Sequence, residues 1–416
     1  MAKPKAVGDL EIGTRKVGWA RAHMPILEEI RARFERERPF KGLTLSLVLH
    51  VESKTCALAL ALQAGGADVH MAASNPLSTD DDAVAHVLDQ GIETYAVKGE
   101  SITAYRQGIQ AMLDADPEII IDDGSDLVAA AIERGHGRRG KILGSTEETT
   151  TGVVRLRAMQ KDGKLPWPAI DVNDATMKHL FDNRFGTGQS TLDGIFSATN
   201  LVVAGKTAVV AGYGWCGKGV ASRFRGLGAD VIVTEVNPSR ALEARLEGFR
   251  VKRMLDAVRE ADFIITVTGC TDVVRAEHFK AMKDGCCIAN SGHFDVEINK
   301  KDLAGLAVEK RIARGGVEEF RMPDGRRIYL LAEGRLVNLA AGQGHPVEIM
   351  DMSFALQALS AEHLKKEGKG MRPGVYPVPL PLDESVARAA LRPYSAEVDE
   401  LTAAQKKYLE SWEEGT

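Results

Sequence analysis

Short apolar runs alternate with amphipathic stretches through the first third of the chain. Between about residues 43 and 145 the apolar runs are LTLSLVLH, DVHMAAS, TYAV, EIIIDDG and KILGS, and stretches such as ALALALQAGG and DDAVAHVLDQG separate them. This alternation predicts the strands and crossover helices of a parallel sheet. Polar residues follow several of the runs, and in an open α/β sheet the strand ends form the edge that binds ligands.

A second alternating block begins near residue 205 with KTAVVAGYG and continues through DVIVTE, FIITVTG and CCIANSG. Residues 166–204 between the blocks predict loop and helix, and the turn-rich stretch NRFGTGQS at 183–190 predicts a hinge. A helix is expected after Pro346, followed by the Pro-rich PGVYPVPLPLD and a polar helical tail. The pattern therefore predicts an α/β protein with two doubly wound parallel-sheet domains.

Composition narrows the class of protein. With 416 residues the chain is long enough for two domains, and 53 Lys+Arg against 58 Asp+Glu give a net charge of -5, which argues against a nucleic-acid-binding surface. The sequence has neither an apolar run of membrane-spanning length nor a signal-peptide core, so a soluble, cytoplasmic protein is expected. The five cysteines and ten histidines show no zinc-like spacing, so local sequence predicts no metal.

A dinucleotide-binding motif opens the second block. Gly212, Gly214 and Gly217 form G-x-G-x-x-G between a strand and a helix, and the next strand ends in Glu235 at about the 20-residue distance expected for a ribose-binding carboxylate. A carboxylate there would repel a 2′-phosphate, so NAD is favoured over NADP. Later strand ends carry further polar residues suited to the sugar and nicotinamide side of such a cleft, namely Thr268, Ser291 and Gly292.

A dense polar set lies outside this motif. Its members come from separate predicted elements and are His50, Asp123, Glu148, Lys178, Asp182 and Asn183. Each alone has a purely structural explanation, such as a core histidine, a helix N-cap or a first-turn carboxylate. Together they are more than an ordinary NAD-dependent dehydrogenase requires.

The motifs DDGSDL, STEETTTGV, PAIDVNDATMKHLFDNRFG, AVVAGYGWCGKG, VTEVNP, TVTGC, NSGHFDVEI, LLAEGRLVNL and GHPVEIM occur in this order. In this respect the chain resembles the S-adenosylhomocysteine hydrolase family. The resemblance implies a substrate domain made from both ends of the chain, residues 1–185 and 347–383, joined by a hinge to a Rossmann NAD-binding domain of residues 186–346. Residues 384–416 would form a C-terminal helical tail.

The resemblance also implies a mechanism. The 3′-hydroxyl of the nucleoside is oxidised to a ketone with bound NAD as hydride acceptor, which acidifies the C4′ proton and lets the C5′ thiol leave. Water then adds, the ketone is reduced again, and nucleoside and homocysteine depart. NAD is regenerated in each turnover and acts as a resident cofactor.

Roles follow from the matched motifs. Lys178 and Asp182 would handle the 3′-hydroxyl, with Lys178 as a base near neutral pH, and Glu148 would bind the ribose hydroxyls. Asp123 and His50 would serve proton transfer at C4′ and at the leaving group. Asn183 would contact nicotinamide. The remaining NAD contacts would come from Thr149, Thr150, Thr151, Glu235, Asn338 and the three glycines of the turn, while His293 and His345 would line the cleft near the homocysteine.

The chain departs from the family in the loop that grips the purine. Where the family has H-x-T-x-E-T, this chain has HVESKT, which places Glu52 and Lys54 beside Thr55. Lysine only donates hydrogen bonds and glutamate accepts them, a combination that suits the 6-oxo group and N1–H of hypoxanthine. Glu52 could equally accept from the adenine amino group, so S-adenosyl- and S-inosylhomocysteine both remain candidate substrates.

Other expectations also depend on the resemblance. The chain ends YLESWEEGT, without the Lys and Tyr by which longer members cap a neighbour's NAD, so weaker NAD retention is expected, in a homotetramer or homodimer. Two rival hypotheses are an inactive NAD- and nucleoside-binding regulator and a 2-hydroxy acid dehydrogenase. The first would release no thiol, and the second would show net NADH production.

Overall fold

Fifteen strands form two separate sheets in the computed structural model, which describes residues 6–412. In chain order the strands are β1 (Thr44–Leu49), β2 (Asp68–Ala73), β3 (Glu93–Tyr95), β4 (Ile119–Asp122), β5 (Gly144–Glu147), β6 (Pro168–Asp171), β7 (Thr207–Ala211), β8 (Asp230–Thr234), β9 (Arg250–Val251), β10 (Phe263–Thr266), β11 (Cys286–Asn290), β12 (Glu309–Arg314), β13 (Val317–Arg321), β14 (Arg327–Leu331) and β15 (Gly374–Pro377).

The first sheet has the order β15-β6-β5-β4-β1-β2-β3, and each neighbouring pair is parallel. The second has the order β12-β13-β14-β11-β10-β7-β8-β9. It is parallel from β9 to β14 and becomes antiparallel at the edge formed by β12 and β13. The predicted two doubly wound sheets are confirmed, with this antiparallel edge as an addition.

Each sheet reverses its strand order at one point. Successive strands are added on opposite sides of the boundary between β1 and β4 in the first sheet, and of the boundary between β7 and β10 in the second. The carboxyl ends of the strands at such a point border an open crevice that binds ligands in doubly wound folds. The segments that follow these four strands therefore lie where a site is expected.

The helices cover both faces of the sheets. They are α1 (Leu10–Ala22), α2 (Pro25–Glu37), α3 (Ser53–Ala64), α4 (Asp81–Asp89), α5 (Ile102–Asp114), α6 (Asp126–Glu133), α7 (Thr150–Lys161), α8 (Thr176–Lys178), α9 (Thr187–Thr199), α10 (Trp215–Gly226), α11 (Pro238–Leu246), α12 (Met254–Ala257), α13 (Ala276–Ala281), α14 (Lys300–Leu306), α15 (Val337–Ala340), α16 (Val347–Glu367), α17 (Leu380–Leu391) and α18 (Ala403–Glu410). Within residues 6–412, none is both long and apolar enough to cross a bilayer.

The turn structure predicted at residues 183–190 is wrong, while the role of this stretch as a hinge stays a prediction. These residues are helical: a π-helical segment, His179–Gly186, joins α8 to α9. The glycines are there for close packing, because a Cβ at Gly186 would lie 2.3 Å from the His345 ring and one at Gly188 would lie 2.7 Å from the backbone of Gly219. Residues 166–204 also contain the strand β6, which the sequence pattern did not predict.

The C-terminal part of the chain returns to the first sheet. Strand β15 pairs with β6, and α16, predicted as an amphipathic helix, is buried on nearly all sides against β4, β5, α2 and α3. Asp351 on α16 accepts hydrogen bonds from the backbone N–H groups of Ile26 and Leu27 at the start of α2. The predicted tail, residues 384–416, contains most of α17 and all of α18, and its last four residues lie outside the described part.

Candidate active site

The π-helical segment places two predicted catalytic residues, Asp182 and Asn183, around the ammonium group of a third, Lys178. The Nζ of Lys178 donates to Asn183 Oδ1 at 2.8 Å and lies 3.1 Å from Asp182 Oδ1. An α-helix would bring the i+3 and i+4 side chains onto the same face as Lys178, whereas the wider π turn brings the i+4 and i+5 side chains there. Ser353 of α16 donates to the other Asp182 oxygen at 2.9 Å, which fixes this carboxylate.

Glu148 completes this group from the loop after β5. Its Oε1 lies 3.5 Å from Lys178 Nζ, and its Oε2 accepts a hydrogen bond from Gln357 Nε2. Oε1 is buried and has no hydrogen-bond partner. A buried carboxylate oxygen without a donor is costly, so it is suited to accept from a ligand hydroxyl.

The electrostatics of this group correct one expectation. Burial favours the neutral amine of Lys178, but the neighbouring carboxylates of Asp182 and Glu148 outweigh it and raise the pKa of Lys178. The free site therefore holds Lys178 protonated, not as a base near neutral pH. For Glu148, burial raises the pKa to about 7, although the charge of Lys178 opposes this rise. Burial also opposes ionisation of Asp182, but Lys178 outweighs it and lowers the pKa of Asp182.

A second polar cluster lies at the strand-order reversal of the first sheet. His50 follows β1 and Asp123 follows β4, and His50 Nε2 lies 3.3 Å from Asp123 Oδ2. Ser78 donates to the backbone oxygen of Asn75, so its hydroxyl oxygen is free to accept from His50 Nδ1 at 2.7 Å. The other ring nitrogen then faces Asp123, and this approach is favourable when one of the two groups carries a proton. The pair can therefore hold one mobile proton.

His293 extends this cluster from the second sheet. Its Nδ1 lies 3.6 Å from Asp123 Oδ1, and its ring is 5.8 Å from the His50 ring. Ligand atoms of His50, Asp123 and His293 all lie within 4.8 Å of one another, a set that could hold a metal ion. Local spacing could not reveal this set, because the three residues belong to distant segments. Burial lowers the pKa of His50 to about 4, although Asp123 opposes this fall, so a neutral imidazole is favoured.

The glycine-rich turn after β7 leaves room for a dinucleotide. Gly212 has φ +105°, and a Cβ at Gly217 would lie 2.0 Å from the Gly212 carbonyl, so side chains are excluded at both positions. At Gly214 a Cβ would have no atom nearer than 3.9 Å, which leaves the start of α10 open to a pyrophosphate. Glu235 stands beside the turn and accepts from the backbone N–H of Tyr213 at 2.7 Å.

The nicotinamide side of this site contains another orphaned atom. Asn338 is 1% exposed, its Nδ2 donates to Ser190 Oγ at 3.2 Å, and its Oδ1 has no hydrogen-bond partner. A carboxamide ligand such as nicotinamide supplies the missing N–H donor. Together with the glycine turn, this atom shows that the residues present fit NAD.

The other predicted cofactor residues lie on loops around Asn338 and the turn. The hydroxyl groups of Thr191 and Ser291 are 2.7 Å apart, and Gly292 N donates to Asn290 Oδ1 at 2.9 Å. The threonine run 149–151 starts α7, and Thr151 Oγ1 would lie 3.9 Å from a Cβ at Gly269, which follows Thr268. The two sheets thus bring their strand ends together at these loops.

The loop of Glu52 and Lys54, which is predicted to contact the purine, lines a cleft of about 1450 Å³. His345 lines the same cleft. Lys54 is 5% exposed, and its Nζ lies 2.8 Å from Glu52 Oε2 and donates to the Gln343 backbone oxygen at 3.0 Å. Thr55 donates its hydroxyl to the His50 backbone oxygen at 2.6 Å, so it fixes the loop and retains only acceptor capacity for a base. Lys178 and Asp123 are buried and do not line this cleft.

Several residues that hold this site were missed by the sequence interpretation. Asn173 Oδ1 accepts from both Asn183 Nδ2 and Thr150 Oγ1, and so links the catalytic group to the threonine run. Gln357 and Ser353 act on Glu148 and Asp182 from a helix more than 160 residues away, as their hydrogen bonds show. The conspicuous signal was the density of polar residues in DVNDATMKHL, since Asn173 falls within it.

Comparison with known protein families matches two parts of the chain to the same family. Residues 183–344 match the family model of the S-adenosyl-L-homocysteine hydrolase NAD binding domain, and residues 3–139 match the model of S-adenosyl-L-homocysteine hydrolase. An adenosylhomocysteinase of Thermococcus kodakarensis is 55% identical over 404 residues, which cover 97% of this chain and 96% of that protein.

Relatives with a second name are equally similar. An S-inosyl-L-homocysteine hydrolase of Methanopyrus kandleri is 55% identical over 405 residues, covering 97% of this chain and 96% of that protein. Another, from Methanothermobacter thermautotrophicus, is 55% identical over 418 residues, covering 99% and 100% respectively. Overall similarity therefore does not distinguish between the two purines.

Proposed function

Because the chain belongs to the S-adenosyl-L-homocysteine hydrolase family and is an NAD-dependent hydrolase, we propose that it reversibly hydrolyses the thioether of S-adenosyl-L-homocysteine to adenosine and homocysteine. The observation that carries this proposal is the buried group of Lys178, Asp182 and Glu148, which lies beside loops that fit NAD. An inactive regulator would have no need of a buried ammonium held by two carboxylates, and the family relationship gives that hypothesis no support.

NAD, when bound, accepts a hydride from the 3′ carbon of the ribose and returns it at the end of the cycle. The orphaned Oε1 of Glu148 accepts from a ribose hydroxyl and orients the sugar. Lys178 holds a proton in the free site, so it must release this proton before it can take one from the 3′-hydroxyl. Asp182 and Asn183 hold the ammonium in place for this exchange.

Proton transfer at C4′ and C5′ is assigned to the second cluster. His50 Nε2 and Asp123 Oδ2 lie 3.3 Å apart, so a proton taken from C4′ by one member can pass to the other and then to the leaving thiolate. His293 approaches Asp123 from the second sheet and closes this side of the site. The proposed division into a substrate domain of residues 1–185 and 347–383 and a Rossmann domain of residues 186–346 places both clusters, apart from His293, on the first sheet and the glycine-rich turn on the second. A homotetramer or homodimer in the cytoplasm remains the expectation from the family.

S-inosyl-L-homocysteine is a second candidate substrate, and the buried position of Lys54 favours it. Lys54 Nζ is held by Glu52 and by the Gln343 carbonyl, and an ammonium has a third N–H to offer to a 6-oxo group. Glu52 would accept from N1–H of hypoxanthine. With adenine the same two residues would be used in the opposite order, Glu52 at the amino group and Lys54 at N1, so the position of the base decides between the purines.

One experiment tests both the proposed hydrolase activity and the choice between the two purine substrates. The nucleotide in purified protein is identified by mass spectrometry, and thiol release is measured with S-adenosyl- and S-inosylhomocysteine for the wild type, Lys54→Met and, as a control at an exposed lysine of the same cleft, Lys98→Met. Absence of thiol release from both substrates would contradict the hydrolase proposal.

If Lys54 reads a 6-oxo group, Lys54→Met lowers kcat/KM for the inosyl substrate by about tenfold or more relative to the adenosyl substrate, and Lys98→Met changes neither. An adenine preference of the wild type above about tenfold, roughly 1.4 kcal/mol, would reject the inosyl candidate. An equal loss on both substrates would show that Lys54 does not discriminate between the two purines.

A further inference from the structure

Glu147, the last residue of β5, is a fully buried carboxylate with no part in the steps proposed above. Its Oε1 accepts two backbone hydrogen bonds at once, from Gly124 N at 2.8 Å and from Thr149 N at 3.0 Å. Its Oε2 accepts from Ser125 Oγ at 2.6 Å. One oxygen atom therefore joins the loop after β4, which carries Asp123, to the loop that begins the threonine run.

The loop that Glu147 holds is conformationally unusual. Gly124 has φ +107°, and Ser125 has φ +59°, a left-handed conformation that residues with a side chain rarely adopt. A Cβ at Gly124 would lie 2.6 Å from His293 Nε2, so the loop runs close against the opposite wall of the site. Such a backbone conformation persists only when its surroundings hold it, and Glu147 supplies two of the hydrogen bonds that do so.

Helix α7 holds the same loop from the other side. Arg155 donates to the Gly124 backbone oxygen and pairs with Asp126 at 2.7 Å. Gly152, on the first turn of α7, packs directly on Glu147, since a Cβ there would lie 2.0 Å from its carboxyl carbon. Both the N–H and the C=O of Gly124 are thus bound by groups in or next to α7, so the loop and this helix move together.

We propose that Glu147 is a positioning residue that couples the threonine run Thr149–Thr151 at the start of α7, called here the cofactor loop, to the orientation of Asp123. This inference rests on the proposed function, in which Asp123 transfers the C4′ proton and the threonines contact NAD. Its consequence is that occupancy of the cofactor loop and alignment of the proton-transfer pair are not independent. Displacing Glu147 should weaken both at once.

The test compares two substitutions with opposite expectations. Glu147→Leu removes both acceptors and leaves Gly124 N and Thr149 N unpaired. Glu147→Gln keeps the bridge: its Oε1 still accepts from both N–H groups, its amide donates to Ser125 Oγ, and the serine hydroxyl donates to the Gly152 oxygen, already 3.1 Å away. Asp351→Leu is the matched control, because Asp351 is also buried and binds two backbone N–H groups at a helix start, but away from the site.

Three quantities are measured on the purified holoenzymes: NAD retained after gel filtration, bound NADH formed on mixing with nucleoside, and exchange of the nucleoside C4′ hydrogen with deuterium from the solvent. In Glu147→Leu we expect faster NAD loss and an exchange rate, per molecule of oxidised nucleoside, about 100-fold below the wild type, the effect of a displacement of about 1 Å. Glu147→Gln and Asp351→Leu should keep the wild-type ratio of exchange to oxidation.

If Glu147→Leu does not fold, Gly152→Ala serves instead, because its new Cβ must push the Glu147 carboxylate aside. An unchanged ratio of exchange to oxidation in Glu147→Leu or Gly152→Ala would overturn the inference, as would an equal loss in Glu147→Gln, which would assign the effect to charge. A wild type that oxidises no nucleoside would instead contradict the proposed function itself, so the two failures are distinguishable.

Discussion

Lys178 shows how strongly a few neighbours set the chemistry of one residue. Two carboxylates within 3.5 Å hold its proton and raise its pKa, although burial alone would lower it. A base in this position is useful only if substrate and cofactor change the balance of charge around it. The carboxylates thus stabilise the ammonium form of Lys178 in the free protein, and they stabilise it again when Lys178 regains its proton at the end of each cycle.

Substitution of Lys178 separates its charge from its ability to release a proton. Lys178→Arg keeps a cation beside Asp182 and Glu148 but cannot give up its proton near neutral pH, whereas Lys178→Met removes both properties. We expect both variants to form bound NADH from nucleoside at least about 100-fold more slowly, as for the loss of a general base, while Lys178→Arg keeps more of the stability. Rapid NADH formation by Lys178→Arg in stopped-flow absorbance would show that Lys178 is not the base.

Asp122 gives a prediction for stability. Burial raises the pKa of this carboxyl from 3.8 to about 7, although its hydrogen bond from Val128 N opposes the rise. Its contribution to the free energy of unfolding is therefore fully present below about pH 4 and is lost as the pH rises through about 7, with a slope approaching about 1.4 kcal/mol per pH unit.

Denaturant titrations of the wild type and Asp122→Asn between these pH values measure this slope. Asn does not titrate, so the variant should lose less stability as the pH rises. Part of the slope should remain, because burial also raises the pKa of Glu147. Parallel pH profiles of the two proteins would contradict the assignment.

At the scale of single elements, the glycines near the π-helical segment allow close packing. A Cβ at Gly219 of α10 would lie 1.7 Å from the backbone oxygen of Arg184, so the absence of a side chain lets α10 pack directly on the segment that carries Asp182 and Asn183. This contact is backbone against backbone and has no flexible side chain to yield.

Gly219→Ala should therefore destabilise the protein by at least about 1–3 kcal/mol, the range for overpacked sites, and lower the rate of nucleoside oxidation. Gly226→Ala, at the exposed end of the same helix with nothing within 4 Å of a new Cβ, should be neutral or stabilise by up to about 1 kcal/mol. Thermal unfolding with both alanine variants checks this. Equal melting temperatures would show that the helix can shift to accept the methyl group.

The alternating pattern predicted both sheets because their strands are short apolar runs with polar ends, as at β4 and β10. It failed for NRFGTGQS, because the role of a glycine depends on what packs against it: Gly186 serves contact with His345, a residue that sequence spacing cannot place there. The glycine turn and Glu235 were predictable because the motif is local. Asn173, Gln357 and the bridging role of Glu147 were not, since they depend on distances between separate elements.

On the scale of the whole molecule, the C-terminal segment supports the candidate active site. Asp383 of α17 accepts hydrogen bonds from the backbone N–H groups of Thr176 at 3.0 Å and Met177 at 2.9 Å, at the start of the helix that ends with Lys178. A residue more than 200 positions away thus fixes the direction in which Lys178 enters the site.

Asp383→Ala should cost about 1 kcal/mol, typical of a lost helix cap, and lower kcat more than it raises KM, because it disturbs Lys178 and not the binding surface. Glu384→Ala, at the exposed neighbouring position, is the control and should change neither value. Steady-state kinetics with urea denaturation checks both parts. A rise in KM alone would indicate that Asp383 acts on substrate binding and not on the position of Lys178.

The position of β15 has a consequence for biosynthesis. After the ribosome has translated β14 and before it translates α16, the strands of the second sheet have been made, but the first sheet still lacks its outer strand β15 and the long apolar α16. During this time β6 is an unpaired edge strand of the nascent N-terminal part. Such an edge can pair with strands of other chains. Chaperone dependence in the cell should accordingly be concentrated in that interval of translation and end once α16 and β15 emerge.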